Sequence, residues 1–306
     1  LSAFNLITIL GPTASGKTSL GVSLAKQIGG EILSADSRQV YTGLDIGSGK
    51  DLAEFGDVPY HLIDVVNPGD EYSVFRYQQD FFEAYAQVKN HNKVPIMVGG
   101  TGLYIDAITQ NYQLTQVHEN QDLRAELATD SLEQLQQRLI KLKPELHNDT
   151  DLLVRPRLVR AIEIAVFEQH NPKASKSKFP SIKSLLIGIQ WDRSELRKRI
   201  TLRLKQRFDE GLIEEVQDLH HQGVSYETLE FYGLEYRLVA QYLQGQLNQN
   251  DLQQKLNSKI HQFAKRQDTW FRKMQRRGDH IHWLDPSQNL CEQATIIIEQ
   301  SKVEGL

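Results

Sequence analysis

The chain has 306 residues, 40% of them hydrophobic and 24% charged, and carries a formal net charge of −4. That length and composition describe a globular chain with a sizeable core in one large or two modest domains. They exclude a membrane span, since no apolar run approaches about eighteen residues, and any overall electrostatic pull towards nucleic acid. A lone cysteine, Cys291, excludes an internal disulfide and a multi-cysteine zinc site. With the short N-terminal apolar stretch running straight into a loop rather than a cleavage site, a cytoplasmic chain without a secretory signal is expected.

The first third alternates strand and helix signals. Residues 6–10 (LITIL) read as a buried strand, followed by GPTASGKT and an opening helix. Strand, glycine-rich turn and helix together make G-x-x-x-x-G-K-[ST] a phosphate loop rather than an incidental turn. Backbone N–H groups of Gly11, Pro12's successor Thr13, Ala14, Ser15 and Gly16 would face an anion at the positive helix end. Lys17 is expected on the terminal phosphate, and Thr18 is expected to place its hydroxyl on Mg²⁺. Residues 31–34 read as a second strand, ending near Asp36 in ADSRQVYTGLDIGSGK, and residues 61–66 (HLIDVV) as a third. A helix from the N-cap Ser73 follows, then a strand over 94–98 that ends in Gly99-Gly100-Thr101-Gly102. Such alternation predicts a parallel sheet with helices on both faces and ligands at the carboxyl ends of its strands.

From about residue 115 the texture becomes helical. Ser131-Leu132-Glu133-Gln134 reads as a capping box. A second helix starts near Pro156, and residues 171–183 (NPKASKSKFPSIK) read as a loop. The chain returns to strand at 184–189. Long helices are then expected over 194–223, interrupted near Gly211, and over 251–278. The predicted division is 1–114 and 184–306 as the catalytic core and 115–183 as a helical insertion.

Asp36, at a strand end beside the loop, could bind Mg²⁺, act as a general base, or simply cap the turn through Ser37 or Arg38. Thr101 offers a hydroxyl where paired glycines allow close backbone approach. The 61–66 strand could supply an acidic residue, Asp64, but no full hydrolysis apparatus is evident. Three basic clusters stand out: Arg155, Arg157 and Arg160; 193–207; and Lys265, Arg266, Arg272, Lys273, Arg276 and Arg277. Each alone is a solvated face; three in an acidic chain point to a polyanion held through phosphate contacts. The histidines show no metal-binding pattern.

Taken together, GPTASGKT, ADSRQVYTGLDIGSGK, VPYHLIDVV, VGGTGLY, RLVRAIEI and AKRQDTWFRK, in that order, resemble the tRNA dimethylallyltransferases. The resemblance implies an α/β fold, a P-loop NTPase-like parallel sheet flanked by helices, with a small helical insertion domain that grips the tRNA anticodon arm. It implies transfer of a dimethylallyl group from dimethylallyl diphosphate to N6 of the adenosine 3′ of the anticodon, by a monomer using Mg²⁺. Asp36 would be the general base and Thr101 would position the diphosphate or the amine. The loop residues Gly11 to Thr18 and Arg203 would hold the diphosphate. Implied tRNA contacts are Asp36, Ser37, Arg38, Gln39, Arg157, Arg160, Tyr236, Arg237, Lys265, Arg266, Gln267, Trp270 and Arg272. The chain departs from the family pattern at Ile260-His261, at Glu235 before Tyr236, and at Gly49 and Asp51. A small-molecule kinase on the same superfold, or an adenylate prenyltransferase acting on free nucleotide, is the alternative.

Overall fold

In the computed structural model, which describes residues 4–143, 154–171 and 179–303, six strands form one parallel sheet. They are β1 (Leu6–Leu10), β2 (Gly30–Ala35), β3 (Tyr60–His61), β4 (Val94–Gly99), β5 (Ser184–Ile189) and β6 (Ile281–Leu284), in the order β3-β2-β4-β1-β5-β6. The central strands read as apolar runs because both faces are covered. Ile96 and Val98 join Leu20 and Leu24 of α1 (Lys17–Ile28) in one core. Met97, between them, meets the Tyr77 hydroxyl of α2 (Val74–Asn90) on the opposite face. Strand order reverses at β1, which pairs with β4 on one side and β5 on the other. That places a crevice for ligand at the carboxyl ends of β1, β2 and β4.

Local signals account for most element boundaries. Ser73 caps α2 by accepting the Arg76 N–H at 3.3 Å. The expected third strand is the main correction: only Tyr60–His61 pairs with β2. Leu62 and Asp64 adopt positive φ (67° and 54°), which turns the chain out of the sheet after two residues. Asp64 therefore supplies no acidic strand end beside the loop; it forms an ion pair with the buried Lys50.

Beyond β4, α3 (Gly102–Thr109) precedes the insertion. The C-terminal third then builds a second, helical core from α7 (Arg193–Asp209), α8 (Leu212–His221), α9 (Tyr226–Phe231), α10 (Leu234–Leu243) and α11 (Gln249–Arg276). The break between α7 and α8 falls at Gly211, as expected, with φ of 102°. In α11, Leu252, Leu256, Ile260, Ala264, Gln267, Phe271 and Met274 recur at three- and four-residue spacing and form its buried face. The last helix, α12 (Leu290–Val303), packs on α1.

Residues Gln113–Phe179 form a compact unit of their own. Its helices are α4 (Gln121–Leu127), α5 (Leu132–Leu142) and α6 (Arg155–His170). Leu123, Leu127, Leu135, Leu139, Leu158 and Ile162 make its core. The capping box at Ser131 and Gln134 is formed. Its edges differ slightly from 115 and 183, because Ile182 is buried and the Lys183 N–H donates to Asn5 Oδ1 at 2.8 Å, alongside β1. Most of the expected 171–183 loop lies outside the described residues. Among the described residues no helix is long and apolar enough to cross a membrane.

Candidate functional site

The loop after β1 keeps its backbone N–H groups available by committing its carbonyls elsewhere. Trp191 Nε1 donates to Ser15 O at 2.9 Å, Arg199 Nε donates to Ala14 O at 2.9 Å, and Lys17 Nζ donates to Pro12 O at 3.4 Å. Oxygens so held turn away from any anion, and the start of α1 adds its positive dipole end. Two loop donors are already used: the Ser15 N–H donates to Pro12 O at 3.3 Å, and the Thr13 N–H donates to Gln267 Oε1 at 2.8 Å, while Gln267 Nε2 donates to Gly100 O at 2.9 Å. A side chain at Gly100 would collide with that amide. The glycine after β4 thus accommodates α11 as well as any ligand.

Asp36 and Thr101 leave the ends of β2 and β4, which are neighbours paired through Ala35 and Gly99. Asp36 Oδ1 accepts the Arg38 N–H at 3.0 Å, so the carboxylate does cap its own turn, and it lines the cavity with its remaining acceptor capacity. Thr101 Oγ1 accepts the Ser37 N–H at 3.1 Å, which ties the two strand ends together.

Two adjoining cavities meet here. The smaller, of about 30 Å³, has Asp36, Arg38 and Gln39 in its wall; the larger, of about 580 Å³, lies beside Asp51, Leu202 and Arg199. Lys17, Thr18, Arg203 and Arg207 line both. Desolvation, partly offset by Asp36 and reinforced by the neighbouring arginines, pulls the Lys17 amine down to about 8. The site therefore concentrates cations that await an anion. Oxygen donors from Thr18 and Asp36 suit a hard cation. Among the described residues no group of three or more His, Cys, Asp or Glu could hold a metal alone. That donor set fits Mg²⁺ bound largely through a substrate's phosphates.

Beyond Arg203, already expected at the diphosphate, the structure brings Arg207, Glu215 and Glu235 to the site, positions to which the sequence reading gave no site role. Arg199, Arg203 and Arg207 recur every four residues on α7, a spacing that puts all three on one helix face. Arg203 forms an ion pair with Asp51. Glu235 Oε2 accepts from Arg38 Nη1 at 2.7 Å and its Oε1 from Arg207 Nη1 at 3.2 Å. Glu215 Oε2 accepts the Asp45 and Ile46 N–H groups at 2.9 and 2.6 Å, and its Oε1 accepts that of Gly47 at 3.0 Å, which fixes the turn beneath the cavity. Gly49, Asp51 and Glu235, three departures from the family pattern, all meet Arg203 or Arg207.

The residues expected to face tRNA divide by exposure. Arg157, Arg237, Lys265, Arg266 and Arg272 are exposed. Arg38 and Gln39 sit at the cavity, Gln39 Nε2 donating to Gly49 O at 3.1 Å, while Ser37 lies outside its wall with its N–H on Thr101. Others are committed internally. Tyr236 is fully buried, its hydroxyl accepting the Ser48 N–H at 3.1 Å and donating to Glu215 at 2.9 Å. Gln267 is buried between loop and strand end. Trp270 Nε1 donates to the buried Asp106 at 2.9 Å. Arg160 Nη2 donates to Val117 O at 2.6 Å, within the helical unit. For these four, packing against partners distant in sequence uses the polar groups that the motif alone seemed to offer.

Residues 39–274 match the family model described as IPP transferase, and residues 4–56 match one described as isopentenyl transferase. The chain is 56% identical over 299 residues to tRNA dimethylallyltransferase 1 of Geotalea uraniireducens, with 98% of each chain covered. It is 57% identical over 295 residues to tRNA dimethylallyltransferase 2 of Shewanella sediminis, covering 96% of this chain and 98% of that one. Among solved structures, the tRNA isopentenylpyrophosphate transferase of Bacillus halodurans superposes with a TM-score of 0.71 at 30% identity, covering 99% of both chains.

Proposed function

We propose how this chain, which belongs to the tRNA dimethylallyltransferase family, performs its transfer. It moves the dimethylallyl group of dimethylallyl diphosphate to N6 of the adenosine 3′ of the anticodon in tRNA and releases diphosphate. An adenine amine is a weak nucleophile because its lone pair is delocalised into the ring. The allylic donor compensates by ionising readily where charge on its leaving group is stabilised. The C1–O bond breaks with its electron pair going to the diphosphate, the N6–C1 bond forms, and a proton leaves N6.

The observation that carries this assignment of roles is the convergence of Asp36 with Lys17, Thr18 and Arg203 on one cavity at the carboxyl ends of the strands. Lys17, the loop N–H groups and Arg203 hold the leaving diphosphate, and Asp36 takes the N6 proton as general base. Thr101, bonded to Ser37, keeps the turn after Asp36 in place. Mg²⁺ held by the Thr18 hydroxyl and the substrate's phosphates would supply charge neutralisation on the leaving group. Lys265, Arg266 and Arg272 on α11, and Arg157 in the helical unit, contact phosphates of the tRNA backbone. A tRNA substrate is in keeping with a cytoplasmic enzyme.

The test is incubation with labelled dimethylallyl diphosphate, Mg²⁺ and unmodified tRNA, in parallel with free AMP, followed by nucleoside analysis. Prenylated adenosine from tRNA alone is expected. Label on AMP alone would overturn the acceptor assignment, and absence of label from both would overturn the reaction.

A further inference from the structure

Arg207 is an unusual guanidinium. It is 6% exposed, its Nε is buried without a hydrogen-bond partner, and its Nη1 reaches Gly47 O at 3.3 Å and Glu235 Oε1 at 3.2 Å. A desolvated guanidinium with an unmet donor is costly unless something completes it. Its one carboxylate is shared, since Glu235 also binds Arg38. Around the junction of the two cavities Lys17, Arg38, Arg203 and Arg207 face Asp36, Asp51 and Glu235, which leaves positive charge in excess.

The surrounding chain is shaped to admit this side chain. Gly49 has a φ of 67°, and a Cβ there would overlap Arg207 Nη2. Any other residue at 49 would push the guanidinium away from the junction. On α7, Arg199 is committed to Ala14 O and to the face of Trp191 at 4.3 Å, and Arg203 to Asp51. Arg207 is the member of that stripe with a buried nitrogen left unpaired, and it borders both cavities with Lys17 and Thr18.

We infer that Arg207 is a further ligand of the donor's diphosphate, and that Glu235 is a positioning residue that aims Arg207 at the leaving group while fixing Arg38 beside Asp36. This rests on the reading that the loop and Lys17 hold the diphosphate. Arg207 Nε or Nη2 would donate to a diphosphate oxygen as charge grows there on C1–O cleavage, and Glu235 would keep the guanidinium from swinging away with the departing product.

The experiment is calorimetric binding of inorganic diphosphate, with donor kinetics and thermal melting, on the full chain and on Arg207→Gln, Arg207→Lys, Glu235→Gln and Lys17→Ala. Loss of one charge-assisted bond predicts a roughly ten- to hundredfold weaker diphosphate affinity for Arg207→Gln. A smaller loss is expected for Arg207→Lys, which keeps the charge but not the fork. Glu235→Gln is expected to raise the donor KM, and its effect in the double variant with Arg207→Gln is expected to be less than additive. Arg207→Lys binding diphosphate as tightly as the unaltered chain would overturn the inference, as would Arg207→Gln doing so while folded. If Lys17→Ala weakens binding in that case, the loop reading stands without Arg207. An unaltered chain that binds no diphosphate would overturn both.

Discussion

The side-chain amide of Gln267 accepts the Thr13 N–H at 2.8 Å, across 254 residues of sequence, and with its nitrogen holds Gly100 O at 2.9 Å. One glutamine therefore joins the phosphate loop to the end of β4 and sets the floor of the cavity. Truncation leaves a loop donor and a buried carbonyl unsatisfied. Gln267→Ala is expected to lower stability by about 1–3 kcal/mol, measured by denaturant unfolding, and to weaken diphosphate binding. An effect confined to tRNA affinity would return Gln267 to the tRNA-facing set.

Asp36, the proposed base, lines the cavity with Lys17 and Thr18 and has one oxygen held by the Arg38 N–H at 3.0 Å. Asp36→Asn preserves that acceptor and removes the base. Transfer is expected to fall by about a hundredfold or more, with diphosphate affinity nearly unchanged by calorimetry. Turnover at the unaltered rate would remove Asp36 from the chemistry.

Lys17 is pulled down to about 8 by desolvation, against its ordinary value of 10.5. A diphosphate beside it favours the charged amine, so binding at pH near or above 8 takes up a proton and affinity declines as pH rises through that range. Calorimetry in buffers of different ionisation enthalpy should register that uptake. Lys17→Arg, which stays protonated throughout, is expected to lose the component due to this residue. The same depression bears on folding. Between about 8 and 10.5 the unfolded chain holds the proton that the folded chain has released, so this residue's contribution to stability rises with pH there.

Arg272 and Arg276 are exposed on α11, away from its buried face. If they contact tRNA phosphates, affinity for tRNA falls steeply with salt. Replacing both by Gln is expected to flatten the log–log slope by about 0.7–0.9 per lost phosphate contact. A slope equal to that of the unaltered chain would place the polyanion surface elsewhere.

Much of this site is encoded locally. A buried apolar run, a glycine-rich turn and Lys17-Thr18 specify the loop, because strand, turn and helix signals there agree over a dozen residues. Ser73 and Ser131 announce their helices through their own side-chain oxygens. The basic cluster over 193–207 was likewise legible, although neither its four-residue stripe of Arg199, Arg203 and Arg207 nor the buried, unpaired nitrogen of Arg207 was read from it.

Tertiary structure decided the rest. The strand expected over 61–66 ended at His61, where Leu62 and Asp64 turn at positive φ and Asp64 pairs with Lys50, 14 residues away. Tyr236, Gln267 and Trp270 carry polar groups that a motif leaves available. Burial against Glu215, Thr13 and Asp106 consumes them. Glu235 became the clamp on Arg38 and Arg207 only when α10 met α7 and the turn after β2. Periodicity and capping report on neighbours within a few residues. A hydrogen bond between residues far apart in the chain has no such signature, since it exists only once packing has excluded water and left each buried donor one acceptor within reach.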